Sequence, residues 1–338
     1  MKKLIISLLL ILMVIALVVG VDVYRKVIKP YKGYAGSIRI LIEKGSSVST
    51  IGKLLYQKKV IPSYTYFSIY YRLFFTSIKL KSGEYRFDEA LTMKQIIEKL
   101  NRGKVILYKI TIKEGMTVNE TADFLESNHH IDSRDFLNAC RENTRISDVD
   151  SKATDLEGYL FPDTYLVPHQ TGAEDLVSLM VGKFKSSFTH TMVWRAMDIK
   201  FSIRDVVILA SLIEKETSSR DERFLISSVF HNRLRLGMPL ACDPTIVYIL
   251  KKENRYTGKL RWNDLKIKSR FNTRLYKGLP PGPICSPGIA SIEAALYPEQ
   301  TKYLYFVAKD LKTHYFSKTL KEHNWAVRKY IINRERFK

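Results

Sequence analysis

From Leu4 to Val21 the chain runs without a charged residue and is apolar apart from Ser7 and Gly20. Such a stretch reads as one continuous helix, at the short end of the length needed to span a bilayer. A cleaved signal peptide is the competing reading. It requires a small-residue cleavage site, and the residues that follow are Asp22, Val23, Tyr24, Arg25 and Lys26. The sequence therefore predicts a retained anchor over residues 1–24. Lys2 and Lys3 precede the run, whereas Arg25, Lys26, Lys29 and Lys32 follow it. By the positive-inside count this opposes export of the C-terminal part. Long domains cross despite such charges, so composition leaves the side open.

The 338 residues suffice for two or three domains. Lys and Arg total 55 against 34 Asp and Glu, a net charge of +21, which favours polyanionic partners or simply makes a basic surface. Basic residues are spread rather than clustered, and no nucleic-acid-binding module stands beside the anchor, so a nucleic-acid binder is disfavoured. Cys140, Cys242 and Cys285 lack metal-ligand spacing, and three thiols cannot all pair within one chain. They read as small semi-buried residues. His314 and His323 are too far apart for a helical metal pair, so neither metal nor cofactor is expected.

An internal repeat organises the first half. Ile42 to Ile61 aligns without gaps on Ile112 to Ile131, matching Gly45 with Gly115, Val48 with Val118 and Leu55 with Leu125. Each copy reads as a strand ending in a charged residue and a glycine, then a capped amphipathic helix. Between them an aromatic helix is expected over Tyr64–Thr76, a strand over Gly83–Phe87 and a helix from Thr92 to Leu100. This is the content of a small α+β module, which suits a spacer as well as a glycan-binding unit.

The second half opens with Asp155–Tyr165, rich in aromatics and carboxylates and read as an ordered loop and strand. Gly172–Arg195 reads as one amphipathic helix, with Thr171 and Glu174 as its capping box. Ser202 with Asp205, and Ser219 with Glu222, repeat that device for two further helices, the second ending at Gly237. Asp243–Pro244 and Ser286–Pro287 each supply a cap and a proline. Tyr303–Ala308 and Thr313–Phe316 predict a hairpin, followed by a basic C-terminal helix.

Chemistry concentrates between Arg204 and Thr245. Glu214 ends a strongly apolar helical run, and its helical neighbours Ala210, Ser211, Thr217 and Ser218 are uncharged. Desolvation without a nearby cation raises a carboxyl pKa, which is what a general acid near neutrality needs. Glu216 carries Arg220 at i+4, an arrangement expected to form an ion pair and lower its pKa, which leaves Glu214 the better acid. The plain alternative is a solvated or paired helical glutamate. Asp243 reads more readily as a helix cap than as a base. Arg223, Asn232 and Arg233 either orient a ligand or clasp helices together. Asn272–Thr273 and the proline-pinned turn Gly278–Gly288 suit a groove wall or an ordinary connection.

The segments LEGYLFPDTY, ASLIEKET, SSVFHNRL, GMPL followed by DPT, GLPPGPICSPG and the closing YLYFVAKD, HYFS and EHN resemble, in order, those of the endolytic peptidoglycan (murein) transglycosylase family, MltG or YceG-like. The resemblance covers nearly the whole chain. It implies an α+β fold in three parts: the anchor over 1–24, a small LysM-like module over 36–105, and a larger mixed α+β catalytic domain over 106–338. It implies that Glu214 acts as acid and then base in cutting the bond between N-acetylmuramic acid and N-acetylglucosamine, leaving 1,6-anhydro ends and terminating strand elongation. The catalytic domain would face the outside of a bacterial cytoplasmic membrane. Asn232, Asp243, Tyr248, Asn272, Thr273, Pro280 and Pro281 fall in segments expected around the substrate groove. Implied partners are glycan strands, lipid-linked nascent strands, the membrane and peptidoglycan synthases. Two departures stand out: Ala241 replaces the Gln usual two residues before Asp243, and Phe271 and Arg274 replace tyrosines flanking the Asn-Thr pair. A non-catalytic wall-binding scaffold, and a two-carboxylate muramidase using Glu214 and Asp243, are the rival readings.

Overall fold

The computed structural model describes residues 2–310 and 313–332; the end of the expected basic C-terminal helix, residues 333–338, lies outside the described residues. The chain divides into two compact units, Met1–Lys109 with Leu166–Thr171, and Ile110–Tyr165 with Gly172–Lys338. The architecture is mixed α+β, with strands paired only two by two among the described residues.

In the first unit, α1 (Lys2–Val23) is the expected apolar helix, and its large side chains are exposed from Leu4 to Val21. The helical stretch Lys3–Ile28 contains an 18-residue window of mean hydropathy 3.3 and is long and apolar enough to cross a membrane. Beyond it come β1 (Ile38–Ile42), α2 (Val48–Gln57), α3 (Tyr64–Phe74), β2 (Gly83–Phe87) and α4 (Met93–Arg102). β1 and β2 pair antiparallel, from Ile38 opposite Phe87 to Ile42 opposite Gly83. Strand side chains alternate between faces, so Ile40, Ile42, Tyr85 and Phe87 point inward to meet Leu55, Phe67 and Leu100. At about 2 kcal/mol for each such buried side chain, this small unit holds a core of its own. The buried Tyr85 hydroxyl donates to the carbonyls of Lys81 and Leu100, at 2.7 and 3.1 Å, so its polar end is satisfied.

The sequence repeat is a repeat of backbone path. β3 (Leu107–Thr111) and α5 (Val118–His129) follow the order of β1 and α2. Gly45 and Gly115 hold the same turn, with φ of +84° and +77°, where a side chain is disfavoured. Ser47 and Thr117 then cap their helices through the backbone amides of Thr50 and Glu120. β3 pairs with β4 (Thr164–Pro168).

The second unit adds α6 (Ser133–Arg141), α7 (Ala173–Ser187), α8 (His190–Asp198), α9 (Ile203–Glu216), α10 (Arg220–Arg235), α11 (Pro244–Lys252), α12 (Ile289–Leu296), β5 (Tyr305–Ala308), β6 (His314–Ser317) and α13 (Leu320–Val327). α9 is its centre. Every residue from Val206 to Ile213 is buried, as befits a helix apolar on all faces. α8, α10, α11 and α12 all pack on it. Its start is the expected capping box, in which Ser202 and Asp205 exchange hydrogen bonds. The hairpin also forms, with Tyr305 opposite Ser317 and Ala308 opposite His314.

Several local expectations fail because side chains found distant partners. Gly172–Arg195 is two helices rather than one: the chain breaks at Phe188, and the Thr189 hydroxyl caps α8 by accepting from Met192 N–H at 3.3 Å. Thr171 makes no cap for α7, and Glu174 pairs with Arg145 instead. Ser219 caps nothing through its side chain, because Glu222 is drawn to His314. The cap of α12 is Gly288 rather than Ser286.

Gly158 sits at φ +86°, and a Cβ there would lie 2.5 Å from Cβ of Pro283 and 3.1 Å from Val207. Gly158→Ala is expected to cost about 3 kcal/mol of stability from backbone strain and overpacking. Denaturant unfolding of the detergent-solubilised chain checks this; an unchanged midpoint would refute the close approach.

Candidate active site

α9 stops at Glu216 because Thr217 turns to an extended conformation (φ −147°, ψ 142°), and its hydroxyl accepts from Ser219 N–H at 3.0 Å. Glu214, Lys215 and Glu216 therefore occupy the helix end. Successive helical residues point about 100° apart, so the two carboxyls enter different surroundings.

The Glu214 side chain is only 6% exposed, and its carboxylate is fully engaged. Oε1 lies 3.2 Å from Nη2 of Arg223, whose side chain is 9% exposed. Oε2 accepts from Gly288 N–H at 3.1 Å and from the Ser291 hydroxyl at 2.7 Å, at the N-terminal end of α12. The isolation expected from its own helix therefore does not hold. No cation lies on that face of α9, but α10 supplies one. Arg223 also lies 3.6 Å from Glu114, the residue before the Gly115 turn. Burial and the negative Glu214 raise the Glu114 carboxyl above its ordinary range, against the pull of Arg223 and Arg220. Reading the sequence alone missed Glu114. The available signal was the repeat, which sets Glu114 opposite Lys44.

Glu216 departs further from expectation. Among the described residues no ion pair joins it to Arg220, because α9 ends before Arg220 and the i+4 spacing crosses a turn. Burial instead pushes the Glu216 carboxyl from 4.5 to about 7. A hydrogen bond with the Cys242 thiol lowers it, the negative Asp243 raises it, and His314 and Arg233 pull it down. As a whole residue Glu216 is half-buried.

Asp243 begins α11 but makes no side-chain cap; its Oδ1 accepts from Nε of Arg274 at 2.5 Å. That pairing brings one of the two departures from the expected motif, Arg274, beside the second carboxylate. Thr273 is buried and binds the Cys242 backbone, accepting from its N–H at 3.0 Å. Asn272 is also buried and donates to the carbonyls of Leu265 and Ile267. Asn232 donates to the carbonyls of Thr301 and Tyr303. These three amide and hydroxyl side chains are thus turned inward as clasps. Pro280 is buried; Pro281 is exposed and its carbonyl accepts from Arg204. The turn that carries them lies along α9, with Ile284 N–H donating to the Ser211 hydroxyl at 3.1 Å. Tyr248 lies apart from Glu216, its ring 5.2 Å from that of Phe271 and in the wall of a cavity at the other end of α11. All three cysteines are free and buried. Among the described residues no group of His, Cys, Asp and Glu is placed to hold a metal ion.

A carboxyl held near neutrality beside a second carboxylate is the equipment of a general-acid enzyme. The chain belongs to the YceG-like family, whose pattern matches residues 40–329. It is 36% identical over 314 residues to a protein of Bacillus subtilis (strain 168) named endolytic murein transglycosylase, covering 88% of this chain and 86% of that one. A protein of the same name from Streptococcus pneumoniae (strain ATCC BAA-255 / R6) is 27% identical, and the match spans 87% of this chain but only 58% of that longer relative. The crystal structure of a YceG-like protein from Listeria monocytogenes superposes with a TM-score of 0.59 at 34% identity, covering 86% of this chain and 99% of that one.

Removing the cation from a buried ion pair leaves an uncompensated charge. Arg223→Met is therefore expected to cost about 3–5 kcal/mol of unfolding free energy, and Glu214→Gln in the same chain to recover part of it. A double-mutant cycle measures this; purely additive losses would show that the pair is not coupled.

Proposed function

We propose that the chain is an endolytic murein transglycosylase. It cuts the β-1,4 bond from N-acetylmuramic acid to N-acetylglucosamine within a glycan strand and leaves a 1,6-anhydro end. The names of the bacillary and streptococcal relatives support the activity. The observation that carries the chemistry is the Glu216 carboxyl, pushed up to about 7 by burial. A group that is substantially protonated at neutral pH can donate to a departing glycosidic oxygen. The resulting carboxylate then accepts the proton of the muramic acid 6-hydroxyl as that oxygen closes on the anomeric carbon. Because the nucleophile belongs to the substrate itself, high effective molarity replaces the second catalytic carboxylate that ordinary glycosidases need. Glu214, the acid expected from the motif, is the alternative. Its oxygens are already taken by Arg223, Gly288 and Ser291, which suits it to hold the end of α9 while Glu216 carries the proton.

The same reading makes α1 a single-pass anchor (1–24) that keeps residues 106–338, the catalytic domain, outside the cytoplasmic membrane. It makes residues 36–105 a LysM-like module that grips glycan. Work on nascent, lipid-linked strands beside their synthases would terminate strand elongation.

Uncrosslinked glycan strands digested by the full chain and analysed by mass spectrometry test the proposal. Anhydro products are expected, and reducing ends would mark a hydrolase. Glu216→Gln is expected to lower the rate by about 10²–10⁴-fold. Should Glu214→Gln do so while Glu216→Gln cuts at the parental rate, the acid is Glu214.

The rate should fall as pH rises through about 7, where Glu216 loses its proton. Because Asp243 helps to raise that pKa, Asp243→Asn should move the alkaline limb to lower pH. A limb that stays fixed or moves upward would contradict the electrostatic pairing.

A further inference from the structure

At the far end of α11 from Asp243 lies a cavity of about 600 Å³, within the usual range for ligand clefts. Its floor is buried Glu157 and Tyr248. Both Glu157 oxygens lie within hydrogen-bond reach of Val118 N–H, at 3.2 and 3.3 Å, and burial pushes the carboxyl up to about 8. The floor at neutral pH is therefore largely an uncharged acid and a phenol. The mouth is different. Asp123 and Arg141 are exposed on α5 and α6, and among the described residues neither has an ion pair or side-chain hydrogen bond. Lys252 lies 5.8 Å from the Tyr248 ring, and Asp155 accepts only from Glu157 N–H. The remaining charged pair at the rim, Lys251 with Glu120, is self-neutralised.

An uncharged floor with an unpaired anion and an unpaired cation at its mouth suits neither a neutral sugar nor an ion of one sign. It suits a ligand that carries both charges and can pair with each through charge-assisted hydrogen bonds. We propose that this cavity binds a zwitterionic peptide, the stem branching from the glycan, with its ammonium at Asp123 and Asp155 and its carboxylate at Arg141 and Lys252. The assignment of the ligand to a glycan stem rests on the transglycosylase reading; the charge requirement does not. In a substrate whose sugar backbone is largely neutral, the amino-acid branch is the part that supplies both signs. A cavity set apart from Glu216 would select strands by their stems while the bond is broken elsewhere.

The test is calorimetric titration of the full detergent-solubilised Glu216→Gln chain with a synthetic four-residue stem peptide that has one free amine and free carboxylates. Saturable binding is expected. It should weaken at least tenfold when the amine is acetylated and the carboxylates amidated, and at least tenfold in the added Asp123→Asn, Arg141→Gln variant. Both substitutions lie on exposed side chains and remove charge with little change of size. Equal binding of charged and capped peptide, no binding of either, or binding unaffected by the variant would overturn the proposal. So would a stem-free disaccharide that displaces the peptide at equal affinity. Parallel digestion by the wild-type chain separates the two readings. Charge-dependent peptide binding without cleavage of any glycan would keep the site and sink the proposed function. Cleavage without peptide binding would do the reverse.

Discussion

The larger unit depends on one desolvated carboxylate. Taking Glu214 out of water costs several kcal/mol unless donors replace the lost hydration, and three groups from two other segments do so. Arg223 comes from α10, and Gly288 and Ser291 from the start of α12. Each belongs to a helix that also packs its apolar side on α9. Apolar burial brings the three helices together without fixing their register, since hydrophobic contact is non-directional. The carboxylate, with its demand for donors at particular places, fixes where along α9 the other two must stop.

That register has a chemical consequence two residues on. With Glu214 saturated, the last turn of α9 is pinned, and Glu216 is held towards Cys242 and Asp243, where burial outweighs the donors available. Two carboxyls in one short motif thereby meet different surroundings: Glu214 lies against a cation, and burial raises Glu216. Such separation by environment is how a protein assigns different roles to chemically identical side chains.

What could be read beforehand was local. The apolar run of α9, the Ser202–Asp205 capping box, the hairpin and the paired turns at Gly45 and Gly115 are written in residues a few positions apart. What could not be read depended on partners remote in sequence. Glu222 was expected to cap its own helix, yet its carboxylate lies 2.7 Å from His314 on β6. Arg223 reaches Glu214 across the turn between α9 and α10, which neighbour counting along one helix cannot reveal. The same counting predicted an Arg220 pair for Glu216, whereas burial raises that carboxyl. Asn232 and Asn272 expose a different limit. Their amides serve a ligand or a buried carbonyl equally well, and only tertiary contacts distinguish the two.

The duplicated strand–turn–helix path carries an implication of its own. At both corners a glycine with positive φ sets the direction of the chain, so the preceding position contributes little to the bend itself. In one copy that spare position is Lys44, exposed to solvent; in the other it is Glu114, 3.6 Å from Arg223. A glycine corner thus leaves the side chain before it free to serve other contacts. At one corner that side chain points to solvent, and at the other it joins a charged cluster.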